Sequence, residues 1–281
     1  MPELPEVETT RSGLEPHLLG RPLHGARIHN PRLRWPVPDD LDARVRDRRV
    51  LAVRRRAKYL LLDFDDQRGL ILHLGMSGSL RLVDGDSTRR PHDHVELLLD
   101  DGRRLRYHDP RRFGAILAHD GQPETHPLLA TLGPEPLSDD FDGAWLATRA
   151  RGRKIAIKPF IMDSHVVVGI GNIYACEGLF LARIDPSRPA GDCSREEMDT
   201  LAQALRAVLR AAVTQGGTTL RDFVREDGQP GYFQQTLQVY GREAEPCRVC
   251  GTPIARSVLG QRSSFFCPRC QCAPLKRYHA P

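Results

Sequence analysis

Across residues 23–117 the chain reads as short runs in which apolar and polar side chains alternate between turn residues: Val50 to Arg54, Tyr59 to Phe64, Leu70 to Leu74, Ser79 to Val83, Val95 to Leu99, Arg103 to Tyr107 and Ala115 to Ala118. A period of two sends successive side chains to opposite faces, so each run predicts a β-strand. Asp100-Asp101-Gly102 between two of them predicts a tight hairpin. Many short strands at this spacing predict a sandwich or a barrel. Ahead of them Pro5 suits the first position of a helix, and Val7, Leu14 and Leu18 follow on one apolar stripe. Pro123, Pro127, Pro134 and Pro136, with Gly121 and Gly133, mark a crossover and a domain boundary near residue 130. Beyond it the period becomes helical. Ser194 and Glu197 form a capping-box signature, and Met198, Leu201, Leu205, Val208 and Leu209 share a face until Gly216-Gly217. A glycine-rich stretch, 216–233, predicts a long mobile loop of the kind that is either functional or disordered. The pattern is that of an α+β protein.

At 281 residues the chain can hold two domains with cores of their own, and 40% hydrophobic with 27% charged residues is the balance of a soluble globular protein. No apolar run approaches the roughly 20 residues that span a bilayer, and no basic-then-apolar signal opens the chain, so a cytoplasmic protein is expected. Net charge is +5, and residues 231–281 carry seven Lys or Arg against two Glu, an excess that equals the whole formal charge. A polyanionic partner follows from that bias. Of seven cysteines, five crowd into the last eighth of the chain, which argues for metal rather than disulfides.

Cys247-x2-Cys250 and Cys267-x2-Cys270 have the spacing of a zinc ribbon. Four thiolates close the coordination shell, so one structural zinc is expected, with Cys272 a spare thiol. Ile254 to Val258 and Ser263 to Phe266 read as strands around a turn that ends on Arg262, which is either a phosphate contact or a solvated turn arginine. Pro2 opens Met1-Pro2-Glu3-Leu4-Pro5-Glu6. Once Met1 is removed, its secondary amine has a pKa near neutrality, about 7.7–8.0. A helix N-terminus lowers it further and equips it to attack a carbonyl-like carbon; the same run is equally an ordinary acidic helix start.

Lys58 follows Arg54-Arg55-Arg56-Ala57 at the entrance to an apolar strand; such runs are mostly solvated faces, while a neighbouring cation can depress the lysine pKa and suit it to proton transfer. Met76 in Gly75-Met76-Ser77-Gly78, with Arg111 and Phe113 in Asp109-Pro110-Arg111-Arg112-Phe113-Gly114, suggests a wedge that fills a duplex when a base is extracted. Taken singly, Met76 and Phe113 also suit a core. Gly169-Ile170-Gly171-Asn172 ahead of a helix-like run, Ile173 to Ala182, offers a phosphate site. His92-Asp93-His94, read as extended, points both imidazoles one way without a third or fourth metal ligand, which leaves phosphate contact or structure.

These motifs together resemble the bacterial formamidopyrimidine-DNA glycosylase family: PELPEVE at 2–8, RRAKYLLL at 55–62, HLGMSGSL at 73–80, HDHVEL at 92–97, DPRRFGA at 109–115, LGPEPLSDDF at 132–141, GIGNIYA at 169–175, GGTTLRDF at 216–223 and the cysteine finger. The resemblance covers essentially the whole chain. It implies a β-sandwich with an N-terminal helix over 1–130, a helix–two-turn–helix domain over 131–230 and a zinc finger over 238–272. DNA would lie in the cleft between domains. It further implies Pro2 as Schiff-base nucleophile, Glu3 as general acid, Lys58 as proton donor in β-elimination and Arg262 in δ-elimination. His92, Arg111 and Arg153 match DNA contacts, although the family often has lysine where Arg153 stands. Met76, Arg111 and Phe113 match the void-filling wedge, and 216–233 the loop over the extruded base. The implied partner is duplex DNA bearing 8-oxoguanine or formamidopyrimidines, met by a nucleoid-associated monomer. The related endonuclease VIII group opens Pro-Glu-Gly-Pro-Glu, whereas Leu4 stands here. A non-catalytic zinc-ribbon regulator would explain the finger but not the terminus.

Overall fold

The computed structural model describes residues 2–216 and 237–272. Most of the loop expected at 216–233, and the tail beyond Cys272, lie outside these residues. The described residues form two compact units, 2–132 with 212–216, and 133–211 with 237–272.

In the first unit, helix α1 (Leu4–Leu18) is capped by Glu3 and buries Val7, Leu14 and Leu18 as the stripe predicts. Pro5 occupies its second position, since Leu4 is already helical. Eight strands follow in the spatial order β5-β7-β6-β1-β2-β3-β4-β8. They are β1 (Pro22–Ile28), β2 (Arg48–Arg56), β3 (Tyr59–Phe64), β4 (Arg68–His73), β5 (Ser79–Val83), β6 (Asp93–Leu99), β7 (Arg104–His108) and β8 (Ala115–Asp120), with the short helix α2 (Leu41–Val45) between the first two. Among the described residues the two halves pair strand to strand at Pro22↔Arg49 and Leu23↔Arg48. That narrow hinge folds the sheet into a sandwich. Leu97, Leu99, Leu105 and Tyr107 from one half meet Val53, Leu60, Leu62 and Leu72 from the other, together with the stripe of α1. Leu61 and Ile71 face the opposite way and pack under Leu129 of α3 (Pro127–Ala130), so β3 is apolar on both faces.

Strand β1 was not legible because Pro22, His24 and Gly25 interrupt its alternation. Gly25 has φ +134, and a Cβ there would lie 2.5 Å from the Asp42 carboxylate, which itself accepts the Ala26 amide. No side chain fits that approach. The hairpin at Asp100-Asp101-Gly102 forms as expected, with Gly102 at φ +86 and its amide on the Leu99 carbonyl.

The second unit holds α4 (Gly143–Ala150), α5 (Ile157–Ile161), α6 (Asn172–Leu181), α7 (Arg195–Thr214) up to Ala211, and the two-stranded β9 (Ala255–Leu259) and β10 (Arg262–Phe266). The capping box at Ser194 is present: the Ser194 amide donates to the Glu197 carboxylate at 2.7 Å, and the Glu197 amide to Ser194 Oγ at 3.3 Å. Among the described residues, no helix is long and apolar enough to cross a membrane.

Candidate functional site

In the first unit Pro2 and Glu3 are buried at the start of α1, where the Glu6 carboxylate accepts the Glu3 amide at 2.7 Å. Glu8, a turn later, accepts from Arg55 Nε at 2.9 Å, and the same guanidinium reaches the Ala57 carbonyl at 3.0 Å. Arg11 adds a bond to the Val53 carbonyl. Arg55 is thus a strap from the opening helix to the Ala57-Lys58 turn, a role that no motif or spacing announces. Ala57 takes φ +56, an unfavourable value for a side chain with a Cβ, and it is held there by burial. Beyond the turn Tyr59 stands opposite His73, with their rings 4.9 Å apart. Burial first, then the positive charges of Lys58 and Arg34, press the His73 pKa down to about 4. His73 is therefore a neutral acceptor, and its Nδ1 takes the Gly75 amide at 3.1 Å.

The loops carrying Met76 and Phe113 touch backbone to backbone, since a Cβ on Gly75 would come within 2.4 Å of the Gly114 nitrogen. Asp109, fully buried, fastens them. Its carboxylate accepts from Ser77 Oγ at 2.7 Å and from the Gly114 amide at 2.8 Å, while its carbonyl accepts His94 Nε2. Phe113 remains 46% exposed with the Arg111 guanidinium 4.8 Å above its ring, and Met76 is half-buried, so the expected wedge residues share one rim. His92 departs from the sequence reading. Its φ of +71 breaks the extended backbone assumed for His92-Asp93-His94 and leaves His92 exposed while the other two turn inward. Asp93 accepts from His108, Arg81 and the Arg90 amide, which lower its pKa against the opposing effect of burial.

In the second unit the sulfurs of Cys247, Cys250, Cys267 and Cys270 all lie within 4.8 Å of one another, with contacts of 3.5 and 4.0 Å. Zn–S bonds of about 2.3 Å in a tetrahedron require sulfurs about 3.8 Å apart, so the set fits zinc. Amides of Val249 and Cys270 donate to Cys247 and Cys267 sulfurs, as thiolate ligands need. Cys272 stays outside the cluster. Among the described residues no other group of three or more His, Cys, Asp or Glu could hold an ion. Gly260 (φ +55) and Gln261 (φ +61) form the turn, and Arg262 opens β10 opposite Leu259, exposed.

Buried struts that the sequence did not reveal hold this module. Lys158, fully buried, donates to the Ser263 carbonyl at 2.8 Å and to Ser264 Oγ at 2.7 Å. Asn172 donates to the same carbonyl at 2.9 Å, so the amide proposed for phosphate already spends one N–H on the ribbon. Gln271 links the Cys267 amide to the Ile184 carbonyl, and the Glu177 carboxylate accepts the amides of Gln238, Val239 and Tyr240. Many arginines of the chain pair with carboxylates, among them Arg44, Arg106 and Arg188. Among the described residues Arg111, Arg153 and Arg262 have no carboxylate partner, which leaves their charge for an anion.

The sandwich with its capped terminal helix and the four-thiolate module define a two-unit α+β protein of the zinc-ribbon class. Residues 1–116 match the formamidopyrimidine-DNA glycosylase N-terminal domain, 132–224 the formamidopyrimidine-DNA glycosylase H2TH domain, and 244–271 the zinc finger found in FPG and IleRS. Formamidopyrimidine-DNA glycosylases of Stutzerimonas stutzeri and Thioalkalivibrio sulfidiphilus are each 58% identical over 271 residues, covering 96% of this chain and all of theirs. The MutM (FPG) crystal structure from Thermus thermophilus superposes with TM-score 0.86 at 42% identity, over 96% of this chain and 98% of that one. A Lactococcus lactis FPG mutant in complex with Fapy-dG-containing DNA gives 0.90 at 32% identity, over 97% and 100%. The chain belongs to the formamidopyrimidine-DNA glycosylase family.

Proposed function

We propose that this chain is a bifunctional DNA glycosylase and abasic-site lyase that removes 8-oxoguanine and formamidopyrimidines from duplex DNA in base excision repair. The observation that carries the reading is the Arg55 strap, which ties the helix bearing Pro2 and Glu3 to the turn bearing Lys58. Relatives of this fold are known in complexes with DNA containing Fapy-dG, carbocyclic 8-oxo-G and an abasic site.

With Met1 removed, the Pro2 amine attacks C1′ of the everted nucleotide and the C1′–N bond to the base breaks. Glu3 supplies a proton for this exchange. Loss of the ring oxygen from C1′ leaves an iminium, which acidifies the C2′ proton. Its removal, with Lys58 relaying protons, expels the 3′ phosphate, and a second elimination assisted by Arg262 expels the 5′ phosphate. His92, Arg111 and Arg153 contact the strands, Met76, Arg111 and Phe113 fill the vacated stack, and Asn172 keeps its second N–H for phosphate. Zinc holds the ribbon and, with four protein ligands, supplies no open coordination position. The substrate sets the working place at the nucleoid.

Retained Met1 would make the Pro2 nitrogen a tertiary amide without a nucleophilic lone pair. Intact-mass spectrometry paired with borohydride trapping on an 8-oxoguanine·cytosine duplex tests this. Processed protein cross-links through Pro2, and protein that keeps Met1 binds without cross-linking. A cross-link mapped to Lys58 in the unaltered enzyme would overturn the assignment.

A further inference from the structure

A cavity of about 110 Å³ in the second unit is lined by Arg149, Arg153, Ile155, Phe160, Asp163, His165 and Val166. It holds several water-sized groups. Arg149, in the last turn of α4, lies 4.5 Å from the ring of Trp145, whose indole N–H is fixed on the Val166 carbonyl at 2.7 Å. Stacking fixes the plane of the guanidinium and leaves its donor edge free. Arg153 reaches the same cavity from the backbone turn after α4, anchored by its amide on the Ala150 carbonyl and its own carbonyl on the Gly191 amide. Among the described residues neither guanidinium pairs with a carboxylate.

The one carboxylate lining the cavity is Asp163, which feels the charge of Arg153 without an ion pair between them and has its Oδ1 engaged elsewhere. Its Oδ1 accepts both the amide and Nδ1–H of His165, at 2.9 and 2.8 Å. The stacked guanidinium of Arg149 and that of Arg153, neither in an ion pair, around a cavity whose acidic group has one oxygen held by His165, make a receptor for an oxyanion.

We propose that Arg149 is a further phosphate-binding residue, which with Arg153 takes one phosphodiester of the duplex, and that His165 is a positioning residue that keeps Asp163 from neutralising the pair. The inference rests on the DNA-directed reading above. Freed from His165, Asp163 would swing to the arginines and lower affinity although no cation had been removed. Asp163→Asn retains an oxygen for the His165 amide but carries no charge.

The test is the salt dependence of binding to an undamaged duplex by the full-length, zinc-loaded protein. Each lost phosphate contact lowers the slope of log affinity against log salt by about one. Because the two arginines share one phosphodiester, Arg149→Ala and Arg153→Ala are each expected to weaken binding several-fold, and the double variant to lower the slope by about one. His165→Ala is expected to weaken binding several-fold, and Asp163→Asn in the same chain to restore it. Arg149→Ala with unchanged affinity, or the double variant with an unchanged slope, would sink the phosphate assignment, and His165→Ala without effect, or without rescue, would sink the positioning role. Both outcomes leave the glycosylase reading intact if the unaltered protein still traps on lesion DNA. Loss of trapping there would reject that reading instead.

Discussion

Two hairpins present the cations assigned to the two elimination steps, and they are built alike but supported differently. Lys58 follows Ala57 at φ +56 between β2 and β3; Arg262 follows Gly260 and Gln261, both near φ +60, between β9 and β10. The first belongs to an eight-stranded sheet with a continuous core beneath it, whereas the second is a lone pair of strands. A two-stranded hairpin is marginal in water. The core of the ribbon amounts to Val239, Ile254 and two zinc-ligand cysteines against Cys176 and Phe180 of α6, so metal and buried polar struts replace apolar area. A turn of two or three residues sets where a cation points; the depth of the sheet behind it decides what keeps it there.

Removing the metal is the break with the widest structural reach, since it unfolds a whole module. Cys267→Ala, or chelation, should unfold the ribbon and weaken duplex binding by about 100-fold, equal to roughly 2.7 kcal/mol. Hydrogen exchange would show amides 255–266 losing protection while those of β3 and β4 keep it. Ribbon amides that stay protected in zinc-free protein would refute the contrast.

On the sandwich side the counterpart of zinc is Asp109. Asp109→Ala leaves the Ser77 hydroxyl and the Gly114 amide buried without their acceptor. At about 1–3 kcal/mol for each group, a loss of roughly 4 kcal/mol is expected in denaturant melts, with full zinc content. A loss below about 1 kcal/mol would mean that the two loops do not depend on this carboxylate.

His73 adds a pH dependence to the sandwich. Its folded pKa of about 4 lies below the 6.5 of an unhindered histidine, so between those values the unfolded chain binds the extra proton. The stabilisation is complete above pH 6.5 and fades as the pH falls through about 4, by roughly 3 kcal/mol. His73→Asn, whose side-chain oxygen can still accept the Gly75 amide, should flatten that part of the stability–pH curve. An unchanged slope would assign the acid sensitivity to other groups.

The sequence showed what is local and periodic. Tyr59–Phe64 and Ser79–Val83 are strands with the bounds their alternation predicts, and the capping box at Ser194 and the cysteine spacing carried through to geometry. Hidden from it were bonds between residues far apart in the chain: Lys158 to Ser263 spans 105 positions, Gln271 to Ile184 spans 87, and Arg55 to Glu8 spans 47. No periodicity encodes such partners. His92 was misread for the opposite reason, because a left-handed residue just ahead of β6 is a local exception that composition does not announce.

The smallest test compares the two turns directly. Glycine relieves left-handed strain worth about 1–2 kcal/mol, yet costs about 0.5–1 kcal/mol through the entropy of the unfolded chain. At Gln261, which is exposed, the relief exceeds the cost, so Gln261→Gly should raise stability by roughly 0.5–1 kcal/mol. At Ala57, only 3% exposed, glycine also removes a buried methyl worth about 0.8 kcal/mol, so Ala57→Gly should be the less stable of the two by about that amount. Denaturant midpoints of both variants, each zinc-loaded, measure the difference. If Gln261→Gly were the more damaging, the ribbon turn would be held by its side chain rather than by the backbone and the metal beneath it.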